Sequence, residues 1–135
     1  MKKKAKSTTI TVSDEIVIKW QNIVNIMADI ANVHTAVIMK VDSPYIEVFR
    51  SSESGKNPFK VGDRVHLEGL YCEMVIKTKE KLLVPNALTD NRWKNNPDIK
   101  LGLISYLGFP LLWPDGEAFG TLCILDTKEN TLGRN

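Results

Sequence analysis

Apolar positions recur at helical spacing near the N-terminus and then break into short runs of strand character. Ile16, Trp20, Ile23, Val24, Met27, Ile30 and Ala31 keep the i, i+3/i+4, i+7 spacing of one helical face. The spacing predicts a helix over 13–31, with Thr11 and Ser13 as candidate N-caps and Asp14 and Glu15 at the positive end of its dipole. Val17 and Ile18 lie off that stripe and widen the apolar surface beyond what one core contact needs. The runs 35–41 and 45–51 flank Asp42-Ser43-Pro44 and predict a hairpin. A third strand is expected over 59–67, interrupted at Gly62-Asp63. Helical period returns over 68–78, where Leu70, Tyr71, Met74, Val75 and Thr78 share one side, and 82–84 is a short strand stopped by Pro85. After the polar stretch Asn86 to Asn96, Pro97 opens a short helix to about Leu103. The runs 106–113 and 118–125, joined by Pro114-Asp115-Gly116, form a last hairpin expected at the middle of the sheet. Gly108 and Gly120 lie inside its strands, where glycine weakens a ladder unless a bulge or a close neighbour needs the space.

This order predicts an α+β domain. A central, mostly antiparallel sheet carries the N-terminal helix on one face and shorter helices and loops on the other. The 135 residues make one domain over 13–130, with a flexible basic tail over 1–12 and a polar tail over 131–135. The net charge of +2 owes much to Lys2, Lys3, Lys4 and Lys6, so the body is close to neutral and gives no footprint for nucleic acid. No apolar run approaches the ~20 residues of a membrane span, and no apolar segment follows the N-terminal lysines as a signal peptide requires. Cys72 and Cys123 are distant in sequence and lack metal-like spacing. Reduced thiols and a cytoplasmic location are therefore expected.

The strongest candidate for binding is the polar segment Asn86 to Asn96. Arg92 and Trp93 are adjacent there, and Asp90, Asn95 and Asn96 supply donors and acceptors. The competing reading plugs Trp93 onto the sheet. Cys72, followed by Glu73, lacks the positive surroundings of a reactive thiolate and is expected to be a half-buried helical residue. Cys123, between Leu122 and Ile124, is expected to be a core hydrophobe. His34 and His66 are too few for a metal site, and none is expected.

Four stretches resemble a GAF domain, the small-molecule sensor module of signalling proteins. They are Gly69 to Ile76, Leu82 to Ala87, Tyr106-Leu107-Gly108-Phe109-Pro110-Leu111, and Gly116 to Asp126 with its Gly120-Thr121-Leu122 core. The last two look most like modules found ahead of histidine kinases and diguanylate cyclases. The resemblance implies a domain without catalysis of its own that binds an unidentified small molecule, with no cofactor specified. It would regulate a kinase or cyclic-dinucleotide enzyme domain absent from this chain. It also implies a pocket between the sheet and the middle segment, with Tyr71, Arg92, Trp93, Ile104, Tyr106 and Phe109 as the residues facing it. GAF domains usually close with a long helix paired to the first. That helix is expected to be missing here, which leaves the N-terminal helix to form a homodimer. Two alternatives stand beside the sensor: a thiol-dependent methionine sulfoxide reductase of the same fold, and a dimerisation module with no ligand. The first needs clustered cysteines, and Cys72 and Cys123 are not clustered in the sequence. Bilin attachment wants a Cys-His pair, whereas Cys72 precedes Glu73, and the Asn-Lys-Phe-Asp-Glu constellation of cyclic-nucleotide binders is absent.

Overall fold

The computed structural model describes residues 12–130. The expected tails over 1–12 and 131–135, and the expected lack of a closing helix, fall outside these residues except for Val12. Helix α1 spans Asp14–Ala31, capped by Ser13, whose Oγ accepts a hydrogen bond from the Ile16 N–H at 3.3 Å. Strands β1 (Thr35–Asp42) and β2 (Tyr45–Ser51) follow, then β3 (Arg64–His66), helix α2 (Tyr71–Thr78) and β4 (Leu82–Val84). Two 3₁₀ turns, Ala87–Thr89 and Pro97–Leu101, lead into β5 (Ser105–Leu112) and β6 (Ala118–Asp126). The strands form one antiparallel sheet in the order β3-β2-β1-β6-β5-β4. Strand β6 is thus central, as expected of the last hairpin, while β5 lies one strand from the edge.

Helix α1 covers one face, against β1, β2 and β6; α2 covers part of the other, against β4, β5 and β6. Period-two alternation divides the central strands between two cores. Ala36, Ile38 and Ile124 face α1, whereas Val37, Met39, Cys123 and Leu125 face α2. Strand β1 is accordingly buried on both sides over its first five residues.

The buried side of α1 differs from the expected stripe. Val24 and Ala28 are buried, Val17, Trp20, Gln21 and Asn25 flank them, and Ile16, Ile18, Ile23, Ile26 and Ile30 are exposed. The reason is polar. Gln21 Nε2 donates to the Ser51 carbonyl at 2.8 Å, and Asn25 Oδ1 accepts from the Glu53 N–H at 2.8 Å. These bonds seat two polar residues on the sheet side and rotate the isoleucines outward.

Two elements are shorter than the pattern predicts. Gly62 donates to Val48 O and Asp63 to Lys60 O, so a turn takes the place of the first half of the third strand. Gly69 has φ +85, which no helical residue adopts, and α2 begins only after Leu70.

The glycines within the last hairpin answer to close neighbours. A Cβ on Gly120 would overlap the Met39 carbonyl group of β1. Beside it, the register of β6 on β5 slips between Leu111 and Leu112. This bulge turns Phe119 to the α1 face, where its ring meets those of Trp20 and Trp113, each at 5.3 Å. The two strands cannot pair at this spacing with any side chain at 120. Gly120→Ala should therefore lower stability at or beyond the upper end of the roughly 1–3 kcal/mol of an overpacked core. A urea unfolding curve with an unchanged midpoint would contradict this.

Candidate functional site

The eight residues of α2 lie over β4, β5 and β6, so the β1 side of this face is roofed differently. The roof is the segment before β3 together with the Pro97–Leu101 turn. Beneath it lies a cavity of about 20 Å³, measured as space open to the centre of a water molecule, which is room for one or two waters. Val37, Met39 and Leu125 form its floor; Leu70 and Cys72 enter from the start of α2; Phe59 and Val65 form the lip. Cys123, Tyr106 and Asp98 supply its polar atoms.

Asp98 reaches this site through local backbone chemistry. Asn96 Oδ1 accepts from the Asp98 N–H at 2.9 Å and Gly102 closes the turn at φ +80, which holds the 3₁₀ turn beside the cavity. No hydrogen bond or ion pair to the Asp98 carboxylate occurs among the described residues. Burial accordingly pushes its pKa up to about 6.

On the opposite wall, four polar side chains contact one another inside apolar surroundings. Cys72 Sγ lies 3.6 Å from Cys123 Sγ, 3.3 Å from Thr121 Oγ1 and 3.4 Å from the Tyr106 hydroxyl. Tyr106 also donates to Cys123 Sγ at 3.3 Å, and Thr121 Oγ1 is 3.1 Å from it. Each hydroxyl and thiol thereby meets the demand that a buried polar group be paired. Hydrogen bonding from Cys123 lowers the Cys72 thiol pKa against the opposing effect of burial, with Thr121 and Tyr106 adding to the lowering. Burial raises the pKa of Cys123 well above its ordinary value, and the hydrogen bond with Cys72 adds to this. The tyrosine reaches this position because Gly108 has no side chain: a Cβ there would overlap the Tyr106 hydroxyl.

The residues expected at the pocket fare unequally. Tyr106 lines the cavity. Tyr71 stacks on it with ring centroids 4.6 Å apart, and its own hydroxyl donates to the Leu103 carbonyl at 3.0 Å. Trp93 packs behind Tyr71 at 5.3 Å and is only 6% exposed, so it belongs to the core and plugs the loop onto the sheet. Arg92 points away, beside Asp90 at 3.6 Å and largely exposed. Ile104 is half-buried and does not reach the cavity lining, and its carbonyl accepts from the Ala87 N–H. Phe109 alternates with Tyr106 along β5 and pairs with Leu122, which places it on the α1 face.

The polar segment 86–96 serves its own backbone. Asn86, Asp90 and Asn96 accept from the N–H groups of Leu88, Arg92 and Asp98, and Asn96 Nδ2 donates to the Trp93 carbonyl. The side chains of Asn86, Asp90 and Asn96 are thus consumed in turns, whereas the buried Trp93 Nε1 has no partner among the described residues.

The largest correction concerns the thiols, which the fold brings together although 51 positions separate them. A signal existed in Thr121-x-Cys123-x-Leu125, whose alternation puts all three on the face that the middle helix covers. Asp98 carried no comparable signal, since an acidic residue after Pro97 is ordinary in a first helical turn. His34 and His66 are both exposed, His66 against the Tyr45 ring at 4.8 Å. Among the described residues no group of three or more His, Cys, Asp or Glu could hold a metal.

Asp98 carries a pH signature. Its folded pKa of about 6 lies above the ordinary aspartate value of 3.8, so its contribution is fully favourable below about pH 4 and lost as pH rises through 6. Asp98→Asn should therefore raise the Tm at pH 7–8 and leave it nearly unchanged below pH 4. Equal Tm differences at both pH values would show that the carboxylate is not desolvated.

The GAF domain family model matches residues 19–134. No curated protein matches the chain. Among solved structures, the GAF domain of the phosphoenolpyruvate-protein phosphotransferase from Acinetobacter is 22% identical with a TM-score of 0.63, the alignment covering 82% of this chain and 65% of that one. The chain thus spans slightly less than two thirds of that structure. The GAF domain of a two-component sensor histidine kinase from Bacillus halodurans is 16% identical at a TM-score of 0.57, covering 87% of this chain and 79% of that one. The free methionine-R-sulfoxide reductase from Neisseria meningitidis, solved with its substrate, is 13% identical at 0.67, covering 88% and 66%. At these identities the structures establish the fold, and the match over residues 19–134 establishes the family: the chain belongs to the GAF domains.

Proposed function

We propose that this domain is a cytoplasmic signal sensor that binds a small molecule between the sheet and α2 and passes its occupancy to an output domain, a kinase or a cyclic-dinucleotide enzyme. The observation that carries this reading is the desolvated Asp98 carboxylate, unpaired among the described residues, at the edge of a largely apolar cavity. A group that costs stability where it stands is the mark of a functional site. The complementary ligand has an apolar body and a cationic or hydrogen-bond-donating group for Asp98. The cavity holds only water-sized molecules, so such a ligand must displace the Phe59–Val65 lip. The differential affinity for that opened state is what would shift the domain between its signalling states. For the cytoplasm, the support is that Cys72 and Cys123 are free thiols and that no described helix is long and apolar enough to cross a membrane.

Mass spectrometry under native conditions, on protein purified from cells without denaturation, should show a stoichiometric small-molecule adduct that Asp98→Asn loses. Bare protein mass in every preparation, with no stabilisation by any small amine tested, would contradict the reading. A second reading, a thiol-dependent methionine sulfoxide reductase, is favoured by the closeness of Cys72 and Cys123. Turnover of free methionine-R-sulfoxide with a thiol reductant would establish it, and its absence would leave the sensor.

Signal output calls for an interface, and α1 offers one. Ile16, Ile23 and Ile30 are exposed at seven-residue spacing with Ile26 between them, an a/d-like seam that a second copy would bury. A homodimer through this seam is the proposed assembly, centred on these residues rather than on the Val17 and Ile18 that widen the apolar surface. The double variant Ile23→Lys, Ile26→Lys should sediment as a monomer with an unchanged Tm. A monomeric parent chain at high micromolar concentration would refute the dimer.

A further inference from the structure

We propose that Cys72 and Cys123 form a peroxide-oxidisable dithiol that closes to an intramolecular disulfide between α2 and β6. Four features of the cavity wall lead there. Both cysteines line the cavity, so a molecule inside it stands beside them although they are buried. The space of about 20 Å³ admits a water-sized reactant and excludes bulky oxidants, which selects hydrogen peroxide. The sulfurs stand 3.6 Å apart and must approach by only about 1.5 Å to reach the ~2.05 Å of a disulfide. Hydroxyl groups from Thr121 and Tyr106 lie 3.1–3.4 Å from the sulfurs, close enough to hydrogen-bond a developing thiolate or the departing oxygen.

The reaction balances without a further reagent. The Cys72 sulfur, having given up its proton, attacks one peroxide oxygen; the S–O bond forms, the O–O bond breaks, and hydroxide leaves to take up that proton as water. Cys123 sulfur then attacks the sulfenic sulfur; the S–S bond forms, the S–O bond breaks, and hydroxide leaves with the Cys123 proton as a second water. Two thiols are oxidised by two electrons in all, and one peroxide is reduced to two waters. Cys72 is the attacking sulfur because hydrogen bonding favours its thiolate, whereas burial keeps Cys123 protonated as the resolving thiol. With the resolving sulfur already at contact distance, disulfide closure precedes over-oxidation.

Closure draws the first turn of α2 onto β6 and narrows the cavity that both cysteines line. This consequence for ligand binding rests on the sensor reading above; the chemistry does not.

The test treats the reduced chain with hydrogen peroxide, quenches in denaturant with an alkylating agent and reads the intact mass. Expected is a monomeric product lighter by about 2 Da, with neither thiol alkylated and the peptides of Cys72 and Cys123 linked. In Cys123→Ser, dimedone should trap a sulfenic acid at Cys72; in Cys72→Ser, peroxide consumption should fall at least tenfold. Should a serine variant fail to fold, Thr121→Val serves instead, with closure at least threefold slower. Disulfides only between chains, sulfinic acid in place of the linked product, or unreacted thiols at millimolar peroxide would each overturn the proposal. None of these readouts depends on methionine sulfoxide turnover or on a bound ligand, so failure here is distinct from failure of either reading above.

Discussion

The sheet's second face is organised by one steric allowance, the missing side chain at Gly108. Tyr106 lies two residues earlier on β5 and faces the same way, and its ring runs back over Gly108. From there its hydroxyl meets Cys123, which Gly108 opposes across the β5–β6 ladder. The ring's other face stacks on Tyr71, and Tyr71 packs on Trp93. A row of three aromatic rings thus joins the central sheet, the start of α2 and the loop before β5. Each of these three elements carries cavity-lining side chains.

The two faces of the sheet meet opposite demands. Toward α1 the packing is mainly apolar and aromatic beside the Gln21 and Asn25 hydrogen bonds, with Trp20, Phe49, Trp113 and Phe119 in edge-to-face contact around the bulge of β6. Toward α2 a short helix leaves part of the sheet to be roofed by loops, and the resulting gap holds a desolvated carboxylate and two thiols. The first face supplies stability. The second gives some of it up: Asp98 is held in an environment that opposes its charge at neutral pH.

Element identities and the α+β layering were legible because they follow from local period and turn residues. Ser13, Pro97 and Pro114-Asp115-Gly116 each mark a boundary where the structure has one. The buried side of α1 was misjudged because hydrophobicity alone located it; Gln21 and Asn25 face the sheet through hydrogen bonds to Ser51 and Glu53. For the site, Tyr106 was legible as an aromatic on a central strand. Arg92 and the polar run around it were misleading, since chains bend their own backbone with the residue types that bind ligands. The Cys72–Cys123 pair was hidden for a simpler reason. Its two members meet only when α2 lies across β6, a tertiary contact that sequence spacing does not encode. The loss of the first half of the third strand and the late start of α2 both trace to glycines at positive φ, Gly62 and Gly69.

If Gly108 organises the second face, adding a single methyl group there should be read at Cys123. The most direct measurement is the native-state rate at which a thiol reagent labels Cys123 in Gly108→Ala, with Gly116→Ala as control. Gly116, unlike Gly108, has positive φ, at +90, and lies in the β5–β6 turn with nothing within 4 Å of an added Cβ. The account predicts labelling at least tenfold faster in Gly108→Ala than in Gly116→Ala once both are adjusted for their measured stabilities. Equal adjusted rates would contradict it, because the Tyr106 ring would then not depend on the space that Gly108 leaves open.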